Sequence, residues 1–216
     1  MGLVAAAAPA AAQAVPSLPF ASGSIYFHVG VLRAPSFTGH VVVDSAAYTG
    51  DSLAAVRGAV VVRVAGMHTG IGLRDGHLRD VMDARRYPVI RFALDSVVPG
   101  LAGPDSASPA GPGAGRPAAA RATAGSDSLA VTFYGALTIR GVTRPVAVLG
   151  SVALDSGLVD VAATFRLDMR DYGVKPPTAL FGLIKVRPVV ELGVALRFGG
   201  PAPAAETKAG HRRSRS

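Results

Sequence analysis

From Ser24 onward, apolar residues alternate with polar or small ones: Ile25, Phe27, Val29 and Val31 interleave with Tyr26, His28 and Gly30. A period of two places successive side chains on opposite faces, so the pattern predicts a half-buried β-strand. Similar runs recur at Gly39–Ser45, Gly58–Val64, Val89–Val97, Leu129–Arg140, Arg144–Leu154, Leu158–Arg170 and Val189–Phe198, which makes eight predicted strands. One helix is predicted over Asp75–Arg85, where Leu78, Val81 and Met82 share a face and Asp75 is placed to cap the first turn. Tyr87-Pro88 should end it, because the residue before a proline is pushed out of the helical region. Parallel strands would need a helix in each connection, so one helix among eight strands argues for an antiparallel barrel or sandwich.

Two internal features refine this outline. Gly141 lies in the Gly-Val-Thr-Arg-Pro stretch that should form a tight hairpin turn, with glycine free to take positive φ. Pro99–Ser128 is dominated by Gly, Pro, Ala and Ser and lacks the large apolar side chains that would offset the entropy of ordering. It reads as a disordered loop inserted within a hairpin (99–128), not as a domain boundary, since closure entropy grows only logarithmically with length. Residues 23–198 are expected to form one domain, flanked by a signal-like or disordered leader (1–22) and a disordered basic tail (199–216).

Composition narrows the chemistry. The 216 residues contain no Cys, which removes disulfides, thiolate metal sites and cysteine nucleophiles. No uninterrupted apolar run is long enough to read as a transmembrane helix. The net charge of +8 is partly a property of the last eleven residues, where Lys208, Arg212, Arg213 and Arg215 face only Glu206. The rest is spread thinly, so nucleic acid is not an expected partner. Ala12 and Ala14 fit an A-x-A cleavage site before Val15, so a periplasmic or secreted location is expected. The tail, Lys208–Ser216, suits either solubility or a transient contact with an anionic membrane surface.

Five ordered blocks resemble one family. Arg74, Asp75, His77 and Leu78 match the R-D-x-H-L element of the YceI-like lipid-binding proteins, and Tyr87–Phe92 resembles their Y-P-x-I-x-F strand. Gly135–Val146 resembles their G-x-L-T-I-x-G-V-T-x-P-V hairpin, while Asp171-Tyr172-Gly173 and Val190-x-Leu192-x-Val194 resemble later blocks. The resemblance implies an extended, eight-stranded, lipocalin-like antiparallel barrel with one short helix. Its interior would accept a polyisoprenoid or isoprenoid quinone type of lipid, in a protein that carries or sequesters it. The chain departs from the family pattern at Val81-Met82, where an aromatic pair is common, in its first strands, and in the 99–128 insertion.

Alternation and nearness to these blocks nominate Ile25, Phe27, Val29, Val62, Val64, Ile90, Phe92, Leu137, Ile139, Phe165, Leu167, Leu192 and Val194 as channel residues. Val60 faces the same way. Such side chains line either a packed core or an apolar pocket, and the two differ only in unfilled volume. Val174–Lys185, with Phe181 at its centre, is unusually apolar for a connection and is expected to form a lid or an element packed flat on the barrel end. Arg74 and His77 are candidates for a lipid headgroup, since a planar guanidinium suits phosphate or carbonyl oxygens.

No catalytic residue, metal or cofactor is expected. No G-x-S-x-G elbow occurs, and His28, His40, His68, His77 and His211 show no short paired spacing. Asp168 and Asp171 read as a solvated turn. Two other functions remain open to test: an enzyme acting on an amphiphile with Arg74, Asp75 and His77 at the channel mouth, and a ligand-free, stress-related surface protein. A homodimer is compatible with either.

Overall fold

The computed structural model describes residues 17–100, 128–179 and 183–199. Ten strands form one antiparallel sheet: β1 (Phe20–Leu32), β2 (Phe37–Val42), β3 (Ser45–Thr49), β4 (Arg57–Arg63), β5 (Val89–Pro99), β6 (Ser128–Ile139), β7 (Val142–Asp155), β8 (Leu158–Asp168), β9 (Thr178–Ala179) and β10 (Ile184–Phe198). Their spatial order is β2-β1-β10-β8-β7-β6-β5-β4-β3, with β9 beside the start of β10.

The two ends of this path are halves of one bent strand. β2 pairs with β1 and β3 pairs with β4. Between them the Val43 amide donates to Gly23 O at 2.9 Å and the Asp44 amide donates to Val61 O at 3.0 Å. The sheet therefore curls back on itself, and with β2–β3 taken as one strand and β9 set aside, the eight strands predicted from alternation form a barrel and not a sandwich.

Turn chemistry sets the register. Arg140 and Gly141 both have positive φ, 50° and 75°, and join Ile139 to Val142 in a two-residue hairpin turn. Ser156 and Gly157, at 48° and 82°, join β7 to β8 in the same way, the backbone geometry that matches strand twist. β10 begins five residues earlier than its alternation suggests, because a bulge opposite Val29–Val31 accommodates Pro188. Proline lacks a ladder donor and is tolerated at such irregularities. Likewise β1 starts at Phe20, ahead of the expected boundary at residue 23. Residues 1–16 of the leader, the 101–127 loop segment and the tail from residue 200 lie outside the described residues.

The helix α1 spans Gly72–Val81, so it starts before Asp75 and stops well short of Tyr87. Asp83 ends it by taking a φ of 51°, and the Ala84 amide reaches back to Arg79 O at 2.9 Å. This is the six-to-one bond of a left-handed C-terminal cap. The predicted apolar face is present: Leu78, Val81 and Met82 pack against Val64, Leu137, Ile139, Tyr172 and Val174. A second, larger cluster, including Val41, Val131, Val148, Val159, Leu196 and Phe198, fills the far part of the barrel.

Candidate functional site

Every strand sends alternate side chains into the barrel, and the packing leaves two chambers in series. The inner one has a volume of about 170 Å³ and the one under α1 about 640 Å³. Ile90 lines both. The period-two order is visible along single strands. On β8, Val159, Val161, Ala163 and Phe165 face the inner chamber and Leu167 the wider one; on β10, Leu196 and Val194 give way to Leu192 and Val190.

The inner chamber carries no charged side chain, and Tyr48 supplies its one hydroxyl. Its far end is closed by aromatic packing: Phe198 meets Phe20 edge-on at 5.8 Å and Tyr48 at 4.9 Å. The Leu18 amide donates to the Tyr48 hydroxyl at 3.2 Å, and burial raises the Tyr48 pKa. Away from the Tyr48 hydroxyl, so apolar a lining disfavours any group that must keep its hydrogen bonds.

Glycines help keep this space open. A methyl group at Gly39 would stand 2.2 Å from the Phe27 ring, and one at Gly135 or Gly150 would stand 2.8 Å from the Phe92 ring or 2.9 Å from the Phe133 ring. These rings lie against bare backbone on neighbouring strands, where side chains would hold them further into the interior.

The wider chamber ends in a polar mouth. Arg74, His77 and Asp80 of α1 line it with Phe37, Pro177, Thr178 and Ile184. The Arg74 guanidinium sits 4.4 Å over the Phe37 ring, stacked on an aromatic face. Asp75 departs from expectation. It lies inside the first turn and turns away from the chambers, accepting from the Thr69 amide at 2.7 Å and the Thr69 hydroxyl at 2.6 Å. These bonds hold its carboxyl below the usual carboxylate range, with His68 Nδ1 a further 3.5 Å away. Asp75 is thus the tie that folds residues 69–71 onto the start of α1.

The turn after β8 completes the mouth. Asp168 accepts from Arg170, which lowers the aspartate pKa, and Gly173 closes the turn with a φ of 68°. That left-handed residue gives the Asp171-Tyr172-Gly173 block its physical reason. Arg144 donates to Asp171 O at 2.6 Å and Arg140 donates to Gly173 O, so the β6–β7 hairpin clamps the turn and places Met169, Tyr172 and Val174 on the wide chamber. Tyr172 is 2% exposed, and burial raises its pKa.

The chambers gather most of the nominated residues. Ile25, Val62, Ile90, Phe92, Leu137, Phe165 and Val194 line the inner one, as does Val60; Phe27, Val29, Ile90, Ile139, Leu167, Leu192, Arg74 and His77 line the wide one. Val64 lines neither. β4 ends at Arg63, residues 64–66 form a short 3₁₀ turn, and Val64 is buried beneath α1. Phe181 lies outside the described residues. Sequence reasoning missed Met67, Met169, Val174 and the aromatic floor, although continuing the β8 and β10 alternation would have reached Val159, Leu196 and Phe198. It also missed that His40 and His68 pair across an antiparallel bridge, with ring centroids 6.2 Å apart. No cluster of three or more metal-ligating groups occurs among the described residues.

A single antiparallel sheet curled around an apolar, two-chambered interior defines a lipocalin-like barrel. Residues 20–198 match the model of the YceI-like domain, and the chain belongs to that family. It is similar to the crystal structure of Burkholderia cenocepacia BcnA, with 16% identity over 81% of this chain and 95% of that one, at a TM-score of 0.58. It is similar too to a polyisoprenoid binding domain from Saccharophagus degradans implicated in plant cell wall breakdown, at 15% identity over 86% and 98% of the two chains and a TM-score of 0.57. A Campylobacter jejuni YceI protein matches at 14% identity over 79% and 89%, with a TM-score of 0.53. A comparison with curated protein sequences finds no match.

Proposed function

We propose that the barrel binds an amphiphile with an isoprenoid type of tail, a polyisoprenoid or an isoprenoid quinone, and serves as its carrier or sequestering protein outside the cytoplasm. The observation that carries this reading is the polarity gradient along the interior, from an inner chamber without charge to a mouth lined by Arg74, His77 and Asp80. An apolar tail gains roughly 25 cal/mol for each Å² it removes from water there, while a polar head stays near the guanidinium and imidazole. The wide chamber falls within the roughly 300–1,000 Å³ typical of small-molecule sites. Family membership and the polyisoprenoid binding domain among the similar structures support the same reading.

The reading assigns no catalytic step. An enzyme built on Arg74, Asp75 and His77 is less well supported, because Asp75 is committed to Thr69 and only the other two line the chamber. The proposed organisation is a leader ahead of β1 that directs export, a barrel over residues 20–198, and a solubilising tail.

Native mass spectrometry of protein purified without detergent tests the proposal. An isoprenoid-tailed lipid should co-purify, and adding it back to stripped protein should raise the melting temperature. Stripped protein that gains no stability from isoprenoid alcohols or quinones at saturating concentrations would overturn it.

A further inference from the structure

Four segments surround the mouth: the end of β1 with the turn after it, the start of α1, the residues before β9, and the start of β10. Each contributes to the wide chamber, through Ala34, Arg74, Pro177 and Ile184 respectively. On these same segments large apolar side chains point into solvent. Leu73 is 74% exposed, Leu183 57%, Ile71 50% and Leu32 46%. Leu73 is more exposed than any other large apolar residue among the described ones.

The charge on this rim is mostly positive. Arg33, Arg74, Lys175, Lys185 and Arg187 lie within the four segments, against Asp75, which is buried and turned onto Thr69, and Asp80, which lines the chamber one turn further along α1. Leu32 pairs with Lys185 across β1 and β10, so apolar and cationic side chains alternate around the opening.

We infer that this rim docks the barrel, mouth first, on an anionic lipid bilayer. Exposed leucines suit the boundary between headgroups and acyl chains, and the surrounding Lys and Arg side chains suit the negative surface potential above it. A second copy of the chain fits less well, since a two-fold contact through this face would set the cations against one another. The inference rests on the proposed function for its purpose, because docking in this orientation brings the chamber against the phase where an amphiphile resides. The contact itself needs no lipid inside the barrel.

The chain has no Trp, so single reporters can be placed in the full-length protein. Leu73→Trp and Leu183→Trp sit on the rim; Leu154→Trp sits at the end of β7, next to the β7–β8 turn at the opposite end, where Leu154 is also exposed. With vesicles of phosphatidylcholine containing one quarter phosphatidylglycerol, both rim reporters should shift to shorter wavelength and be quenched by brominated acyl chains. Leu154→Trp should do neither. Pure phosphatidylcholine, or 1 M salt, should abolish the signal.

Lys175→Glu with Lys185→Glu should weaken vesicle partitioning more than tenfold while leaving the melting temperature and binding of an isoprenoid alcohol in vesicle-free solution unchanged. Neutralising Arg212, Arg213 and Arg215 should leave most of the partitioning intact. Quenching at Leu154→Trp, no quenching at either rim position, loss of binding on neutralising the tail alone, or a dimer that hides Leu73 would each overturn the inference. Loss of isoprenoid binding with intact vesicle docking would instead count against the proposed function.

Discussion

Ile90 stands where the two chambers meet, and shortening it separates a ligand channel from a packed core. Ile90→Ala removes three methyl or methylene groups. In a closed core such a change costs about 2–5 kcal/mol, because the vacated volume adds to the lost transfer energy. At Ile90 the flanking space is already open, about 170 Å³ on one side and 640 Å³ on the other. The transfer contribution, about 0.8 kcal/mol per group, then sets the upper limit, and the ligand-free protein should lose no more than about 2.4 kcal/mol. The same groups flank any chain that passes from one chamber to the other. Losing that contact should weaken binding by up to ~50-fold, since about 1.4 kcal/mol corresponds to a factor of ten. Urea unfolding of stripped protein gives the first quantity, and displacement of a fluorescent farnesyl probe gives the second. Val131→Ala supplies the contrast: Val131 is fully buried and lines neither chamber, so it should lose stability with its affinity unchanged. If Ile90→Ala costs 4 kcal/mol or more and leaves the dissociation constant unchanged, the interior at this point is a core and not a passage.

Two further outcomes follow from the mouth. Asp75 has a depressed pKa in the folded state, so its contribution is present above the unfolded carboxylate value of about 3.9 and fades as pH falls through the folded value. The melting-temperature gap between the native chain and Asp75→Asn should therefore hold from pH 7 to pH 5 and narrow below pH 4; a gap that persists at pH 2 would assign the effect to shape alone. Arg144→Ala removes the donor to Asp171 O at an exposed site and should cost about 0.5–1.5 kcal/mol by thermal melting, with the far-ultraviolet spectrum unchanged.

How far the sequence is legible depends on the range of the forces involved. Strands were readable because the interior imposes alternation on each one independently, and Ile25, Phe27 and Val29 reveal the inward face of β1 without knowledge of its partners. The inward-facing set followed from the same parity, though not the space left between its members. The errors lie where a local signal competes with a tertiary one. Asp75 has the residue type of an N-cap, but the Thr69 hydroxyl and amide claim its carboxylate, and the helix starts at Gly72. Val64 continues the parity of Val60 and Val62, yet the strand has already ended. Pro188 reads as a terminator, and only the pairing with β1 shows that a bulge carries β10 past it. Unfilled volume is the least legible property, because valine and phenylalanine are the same letters whether or not a neighbour fills the space beside them.

The glycines beneath the aromatic rings give this last point a direction. Gly39, Gly135 and Gly150 contribute no side chain to the interior, yet each determines how far a ring on the adjacent strand projects into it. The capacity of the barrel is therefore written partly at positions that a comparison of lining side chains would pass over. A methyl at Gly135 or Gly150 would also meet the Ala93 or Ala162 carbonyl oxygen at 2.2 or 2.3 Å, so it would displace the paired strand along with the ring and alter the interior while every lining residue kept its identity. The volume of the interior is set in this way by the wall as well as by the groups that line it.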